Sequence, residues 1–181
     1  MTMVEQFVAD CVAALDKADP PAEIEKLLQR FMADAEALKA ALPPIDVEDY
    51  LLHQSPLLSI YHIRFEPGVG YPAHNHGMPV VSGIYEGVET NRIYREREDG
   101  KIEFLKEVEF THPHTFIMRD GVHAASNRGT IPSLGFHIHV GDFYGAPHYL
   151  WDEKTGEKFP YSDKKFVELA TYPPGYPVPQ V

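Results

Sequence analysis

Residues 68–87 read GVGYPAHNHGMPVVSGIYEG, and this stretch decides the fold. His74 and His76 are separated by one residue, so on an extended strand both imidazoles point to the same face. Two imidazoles on one face are able to hold one metal ion. Gly68 precedes the pair by six positions and Gly87 follows it by eleven, with small and apolar residues between. The stretch therefore predicts one part of a metal site.

A second histidine segment lies 47 residues further along the chain. Residues 120–127 read DGVHAASN, in which a glycine, His123 and an asparagine follow one another. The two segments, in this order, resemble the two motifs of the cupin superfamily, over roughly residues 45–165. The resemblance implies a mainly β fold, the double-stranded β-helix or jelly-roll barrel. It also implies a metal-ligand set of His74, His76 and His123.

The pattern of the chain beyond these motifs agrees with a β barrel. From about residue 45 the apolar runs become short, β-branched and aromatic, and glycine and proline separate them. No helical periodicity interrupts them, which favours a sandwich or barrel over a parallel α/β sheet. The expected strands are Leu57–Phe65, Pro79–Tyr85, Val88–Tyr94, Ile102–Phe110, Thr115–Arg119, His123–Ser126 and Leu134–Val140.

Two amphipathic helices are expected before the strands. The first covers residues 2–18, with Thr2 and Glu5 in the spacing of a capping box. The second follows Asp19-Pro20-Pro21 and ends at Pro43-Pro44. We expect a single domain with three parts, namely an N-terminal helical extension (1–44), a cupin barrel (45–170) and a proline-rich tail (171–181).

Composition limits the range of partners and locations. The 181 residues carry a net charge of −11, which disfavours nucleic acid and anionic membrane surfaces as partners. A single cysteine, Cys11, cannot form an intramolecular disulfide, which suits a reducing compartment. The first twenty residues lack the basic start and apolar stretch of a signal peptide. These features predict a cytoplasmic location.

A departure from the common cupin pattern indicates a particular group. Many cupins place a glutamate ligand four residues after the histidine pair, where this chain has Val80. The missing glutamate resembles the thiol dioxygenases: cysteine dioxygenase, 3-mercaptopropionate dioxygenase and their bacterial relatives. This resemblance implies a bound Fe(II), with Zn(II) or Ni(II) as alternative occupants. Three neutral imidazoles leave the charge and one face of the ion available to a small thiolate substrate and O2.

Residues 133–140, SLGFHIHV, extend the resemblance, as does the turn WDEKTG at 151–156. The segment is similar to the one that carries a Ser-x-His-x-Tyr relay in the thiol dioxygenases. One alignment places His137 at the relay histidine and His139 at the tyrosine, and a two-residue slide places His139 at the histidine instead. Both histidines are therefore candidate catalytic residues. The resemblance further implies a substrate pocket walled by Tyr50, Phe65 and Phe143.

The carboxylate clamp of the cysteine enzymes is absent. Leu52 stands where that group carries the arginine that binds the substrate carboxylate. Arg64 is expected to face outward. Arg92 and Arg95 are the candidates to replace the missing arginine. Two other functions stay open: a zinc hydrolase or lyase on the same scaffold, and a non-catalytic cupin that binds a metal or small molecule. Cupins often pair as dimers, so a homodimer is a further expectation.

Overall fold

The computed structural model describes residues 1–43, 45, 48–119 and 121–180. Within these residues the helices are Met3–Ala14 (α1), Pro20–Phe31 (α2), Ala35–Ala41 (α3) and Asp163–Leu169 (α4). The strands are Asp49–Ser55 (β1), Leu58–Phe65 (β2), Ala73–His74 (β3), Val80–Glu86 (β4), Val88–Glu96 (β5), Ile102–Thr111 (β6), His114–Met118 (β7), Val122–Ser126 (β8), Ser133–His139 (β9), Tyr149–Trp151 (β10) and Lys158–Pro160 (β11). Three residues that bound expected segments, Pro44, Asp120 and Val181, lie outside the described residues.

The strands form two antiparallel sheets that face each other. One sheet has the order β1-β2-β9-β4-β7, and the other has the order β11-β10-β3-β8-β5-β6. Strands distant in sequence are neighbours in both sheets, as β2 is beside β9 and β3 beside β8. The chain crosses repeatedly between the sheets, which is the arrangement of a jelly roll. The fold is the mainly β, double-stranded β-helix that the sequence predicts.

The strand predictions agree closely with the structure for the longer strands. All seven expected strands are present, with ends that differ by no more than two residues. The sequence reading missed β1, β10, β11 and α4. These elements are three to seven residues long, and periodicity has little to detect in segments of that length.

The helical segment begins as expected and then divides. Thr2 and Glu5 form the capping box, with the Glu5 amide donating to the Thr2 hydroxyl at 3.1 Å. The segment expected as one second helix is instead α2 and α3. Asp34, between them, accepts a hydrogen bond from the Ala37 amide at 3.0 Å and caps α3. An N-cap aspartate at this position is the physical reason for the break.

Strand β9 separates the apolar core from the barrel interior. Phe136 and Ile138 point outward, are fully buried and pack under the N-terminal helices. His137 and His139, which alternate with them, point inward between the two sheets. The helices cover the outer face of this sheet, and the inner face is left for polar side chains.

The C-terminal segment packs on the barrel. Thr171 forms an antiparallel bridge with Gly70, and the Tyr176 hydroxyl donates to Glu48 at 2.7 Å. In the part of the chain that the structure describes, no helix is long and apolar enough to cross a membrane.

Candidate metal centre

Three histidines converge between the two sheets. One ligand nitrogen from each of His74, His76 and His123 lies within 4.8 Å of the other two. The Nε2 atoms of His76 and His123 are 3.1 Å apart. His76 and His123 are buried, and His74 is half-buried. The structure therefore brings together all three of the residues that the sequence predicts as ligands.

Two of the three histidines lie on strands, and the third lies in a loop. His74 of β3 is the cross-strand partner of His123 of β8, so their side chains share the inner face. Strand β3 ends at His74, and His76 follows in a loop. Asn75 holds this loop, because its side-chain oxygen accepts from the Tyr149 amide at 2.9 Å. The prediction that His74 and His76 lie on one strand is therefore wrong, although the two rings still lie close together.

Two of the rings are fixed in the tautomer that a metal ion requires. The Nδ1 of His74 lies 2.8 Å from the Pro72 carbonyl oxygen, which can only accept. The Nδ1 of His123 lies 2.6 Å from the side-chain oxygen of Asn91. Both Nδ1 atoms therefore carry the hydrogen, and both Nε2 atoms present a lone pair. An outer hydrogen bond of this kind is typical of metal-binding histidines.

Burial also keeps the cluster uncharged. It lowers the pKa of His74 to about 4. It lowers the pKa of His76 and of His123 well below the ordinary value, and the neighbouring imidazoles add to the effect. Neutral imidazoles are the form that binds a cation, and a separation of 3.1 Å suits two nitrogens that each lie about 2.0–2.1 Å from one ion. The described residues thus fit a divalent transition metal.

His137 and His139 lie on the inner face beside the cluster. The ring of His139 is 4.9 Å from that of His76, and burial lowers the pKa of His139 well below its ordinary value. The Nε2 of His137 is 3.8 Å from Oε2 of Glu89. His137 Nε2 and His139 Nδ1 are both buried and have no hydrogen-bond partner in the part of the chain that the structure describes. Each is placed to accept or donate a hydrogen bond to a bound molecule.

Two of the three expected pocket residues lie next to these histidines. The Phe143 ring is 4.1 Å from that of His139. The Phe65 ring is 6.4 Å from that of His137 and is almost fully buried. Both positions are consistent with apolar walls around the centre.

Tyr50 is placed differently from the expectation. It is 40% exposed and pairs across β1 and β2 with His62, which faces the helices and not the interior. Cross-strand partners share a face, so Tyr50 points away from the histidine cluster. Tyr61 occupies the inner face instead, 5.8 Å from the His139 ring, with its hydroxyl 2.5 Å from that of Tyr144.

One interior carboxyl group was missed by the sequence reading. Glu89 is fully buried, and its Oε1 accepts from the Asn91 side-chain amide at 2.7 Å. Residues 89, 91 and 93 share one face of β5, and the apolar Ile93 was the available sign that this face is internal.

The candidate clamp arginines are all engaged elsewhere. Arg64 faces outward, as expected, and donates to Glu66 at 2.6 Å. Arg92 pairs with Glu153 on the outer face of the second sheet. Arg95 is exposed and pairs with Glu103 at 2.8 Å. In this structure none of the three reaches the histidine cluster.

No protein-family model matches this chain, and no curated protein matches it significantly. Similar solved structures include an uncharacterized double-stranded β-helix protein from Klebsiella pneumoniae, with 16% identity and a TM-score of 0.43 over 62% of this chain and 91% of that one. A cupin superfamily protein from Desulfitobacterium hafniense has 13% identity and a TM-score of 0.46 over 58% and 88%. An RmlC-like cupin from Methanocaldococcus jannaschii has 15% identity and a TM-score of 0.45, over 56% of this chain and 88% of that one.

Fold and site together define a class, a double-stranded β-helix protein with a trihistidine cluster in its interior. The assignment of the fold rests on the strand order and register of this chain.

Proposed function

We propose that this chain is a mononuclear non-haem iron dioxygenase that acts on a small thiol. The observation that carries the proposal is the donor set, three neutral histidines with no carboxylate in the ligand cluster. A ligand set without charge leaves the whole charge of Fe(II) available to an anionic thiolate. The resemblance of residues 133–140 to the thiol dioxygenases supports the same reading.

The reaction has a simple balance. A thiol RSH combines with O2 to give the sulfinic acid RSO2H, so that both oxygen atoms end on sulfur and sulfur supplies four electrons. His74, His76 and His123 would hold Fe(II), which would supply a cationic centre for the thiolate and the redox chemistry that O2 requires.

The residues of this chain supply orientation and exclusion of water. His137 and His139 present unpartnered ring nitrogens toward the interior, where they are able to hold a hydrogen bond to the substrate. Phe143 packs on His139, and Tyr61 packs on Phe143 with a ring separation of 5.9 Å. These aromatic rings shield the site, and a dry site strengthens each polar interaction within it.

The test is O2 uptake by protein of known metal content. Metal-free protein is reconstituted with Fe(II), Zn(II) or Ni(II) and assayed with cysteamine, 3-mercaptopropionate and L-cysteine, and the sulfinate is identified by mass spectrometry. We expect turnover with Fe(II) alone and one sulfinate formed for each O2 consumed. Hydrolase or lyase activity of the Zn(II) form would indicate the zinc alternative. Thiol binding without O2 uptake by the Fe(II) form would indicate a binding protein.

A further inference from the structure

The most unusual group in the barrel is the carboxyl group of Glu89. It is fully buried. Its Oε1 accepts from the Asn91 side-chain amide at 2.7 Å. Its Oε2 is also buried, has no hydrogen-bond partner among the described residues, and lies 3.8 Å from His137 Nε2. Burial of a carboxyl group costs several kcal/mol unless partners compensate, so its position calls for a role.

Asn91 connects this carboxyl group to the metal-ligand cluster. Its amide nitrogen donates to Glu89, which fixes the orientation of the side chain and turns the amide oxygen toward His123. That oxygen accepts from His123 Nδ1 at 2.6 Å. If Glu89 did not hold it, the Asn91 side chain could turn over and present an N–H group to His123, which would favour the wrong tautomer.

We propose that Glu89 is a positioning residue for the metal centre. Through Asn91 it fixes His123 as an Nε2 donor. This role concerns metal binding and is independent of the reaction catalysed.

Metal affinity tests the role of Glu89 toward His123 without any assay of turnover. Metal-free protein is titrated with Co(II) against a competing chelator, for wild type, Glu89→Ala and Asn91→Leu. We expect both variants to bind Co(II) about 10- to 100-fold more weakly, the range typical when the outer partner of a metal-binding histidine is removed. Asn91→Leu keeps the volume of the side chain and removes both hydrogen bonds. It decides the question if Glu89→Ala fails to fold.

Two further variants separate positioning from a general effect of the mutation. In Glu89→Gln the side-chain oxygen still accepts from Asn91, so Co(II) affinity should stay within about threefold of wild type. Glu86→Gln is the matched control, because Glu86 lies three positions away and pairs with Lys39 at 2.7 Å on the surface. It should bind Co(II) as wild type does.

Wild-type Co(II) affinity in folded Asn91→Leu would overturn the link to His123. Failure of the proposed function has a different signature, because wild-type protein would then bind metal but consume no O2 with any thiol.

Discussion

At the residue scale, neighbours decide what each histidine can do. His123 and His62 are both buried histidines. His123 is held by an amide oxygen that leaves its Nε2 free for a metal ion. His62 instead has its Nε2 2.7 Å from the Tyr85 hydroxyl and lies under the helices. The difference between a ligand and a core residue lies in these partners, and the residue type alone does not reveal it.

A substitution at His137 separates orientation from metal binding. His137→Gln should keep iron at the wild-type level, because no ligand nitrogen is removed. Turnover of the thiol should fall about 10- to 100-fold, as is usual when a group beyond the ligands is lost. Iron content by mass spectrometry and O2 uptake on the same samples check this. His114→Gln, at an exposed position of β7, is the control. Full activity in iron-loaded His137→Gln would mean that the ring is merely packed.

At the element scale, the contact between β4 and β9 depends on a glycine. A Cβ at Gly135 would clash with the backbone carbonyl oxygen of Gly83, close to the register shift between Ile84 and Glu86. Strand β4 lies between β9 and β7 and cannot move aside. Gly135→Ala should therefore destabilise the fold by about 3 kcal/mol, the upper part of the usual range for overpacking.

Urea unfolding measures the cost. Gly70→Ala is the control, because a Cβ there would make ordinary contacts, at 3.4 Å with Ser126 and 3.6 Å with Thr171. It should change the free energy of unfolding by no more than about 1 kcal/mol. Equal stability of the two variants would contradict the close approach of β4 and β9.

The interface between β2 and the helices should make stability depend on pH. Burial lowers the pKa of His62 to about 4, against about 6.5 in the unfolded chain. Between these pH values the unfolded chain binds more protons than the folded one, so stability falls as the pH is lowered through this range. Each such histidine contributes at most about 1.4 kcal/mol per pH unit.

His62→Phe isolates this contribution. Phenylalanine keeps the ring contacts with Phe136 and Tyr85 and cannot take up a proton. The loss of unfolding free energy between pH 6.5 and pH 4.5 should therefore be smaller in this variant than in metal-free wild type, by on the order of 1–2 kcal/mol. Identical losses in the two proteins would show that His62 does not couple folding to protons.

Long strands can be predicted from the sequence, whereas positions that depend on residues distant in the chain cannot. Strand β9 alternates Phe136 and Ile138 with His137 and His139, so the common face of the two histidines can be predicted from the sequence. Strand β3 has only two residues, and the position of His76 depends on Asn75 and Tyr149, which are distant in sequence. Glu89 lies outside both histidine motifs, and its role could not be predicted from the sequence, because that role depends on residues that are close to it only in the folded chain. The expected position of Tyr50 in the pocket does not agree with the structure, because the resemblance did not take into account the face of β1 on which Tyr50 lies.

At the scale of the whole molecule, charge should select the substrate. The interior carries the carboxyl group of Glu89, and Arg64, Arg92 and Arg95 pair with carboxylates away from the cluster. The net charge of −11 attracts cations and repels anions as well. Cysteamine and 3-mercaptopropionate have similar size and differ in charge. The ratio kcat/KM should favour cysteamine by about 100-fold, and a preference for 3-mercaptopropionate would show that a cationic clamp exists.

Metal stoichiometry tests whether His74, His76 and His123 form a metal centre. Wild type, His76→Ala, His123→Ala and the core variant His62→Phe are stripped of metal, reloaded with Fe(II) without oxygen, passed through a desalting column and analysed by mass spectrometry. We expect one iron per chain in wild type and in His62→Phe, and little or none in His76→Ala and His123→Ala, because each of the latter removes one of three donors. Equal iron content in wild type and His123→Ala would contradict a metal centre built on these three histidines.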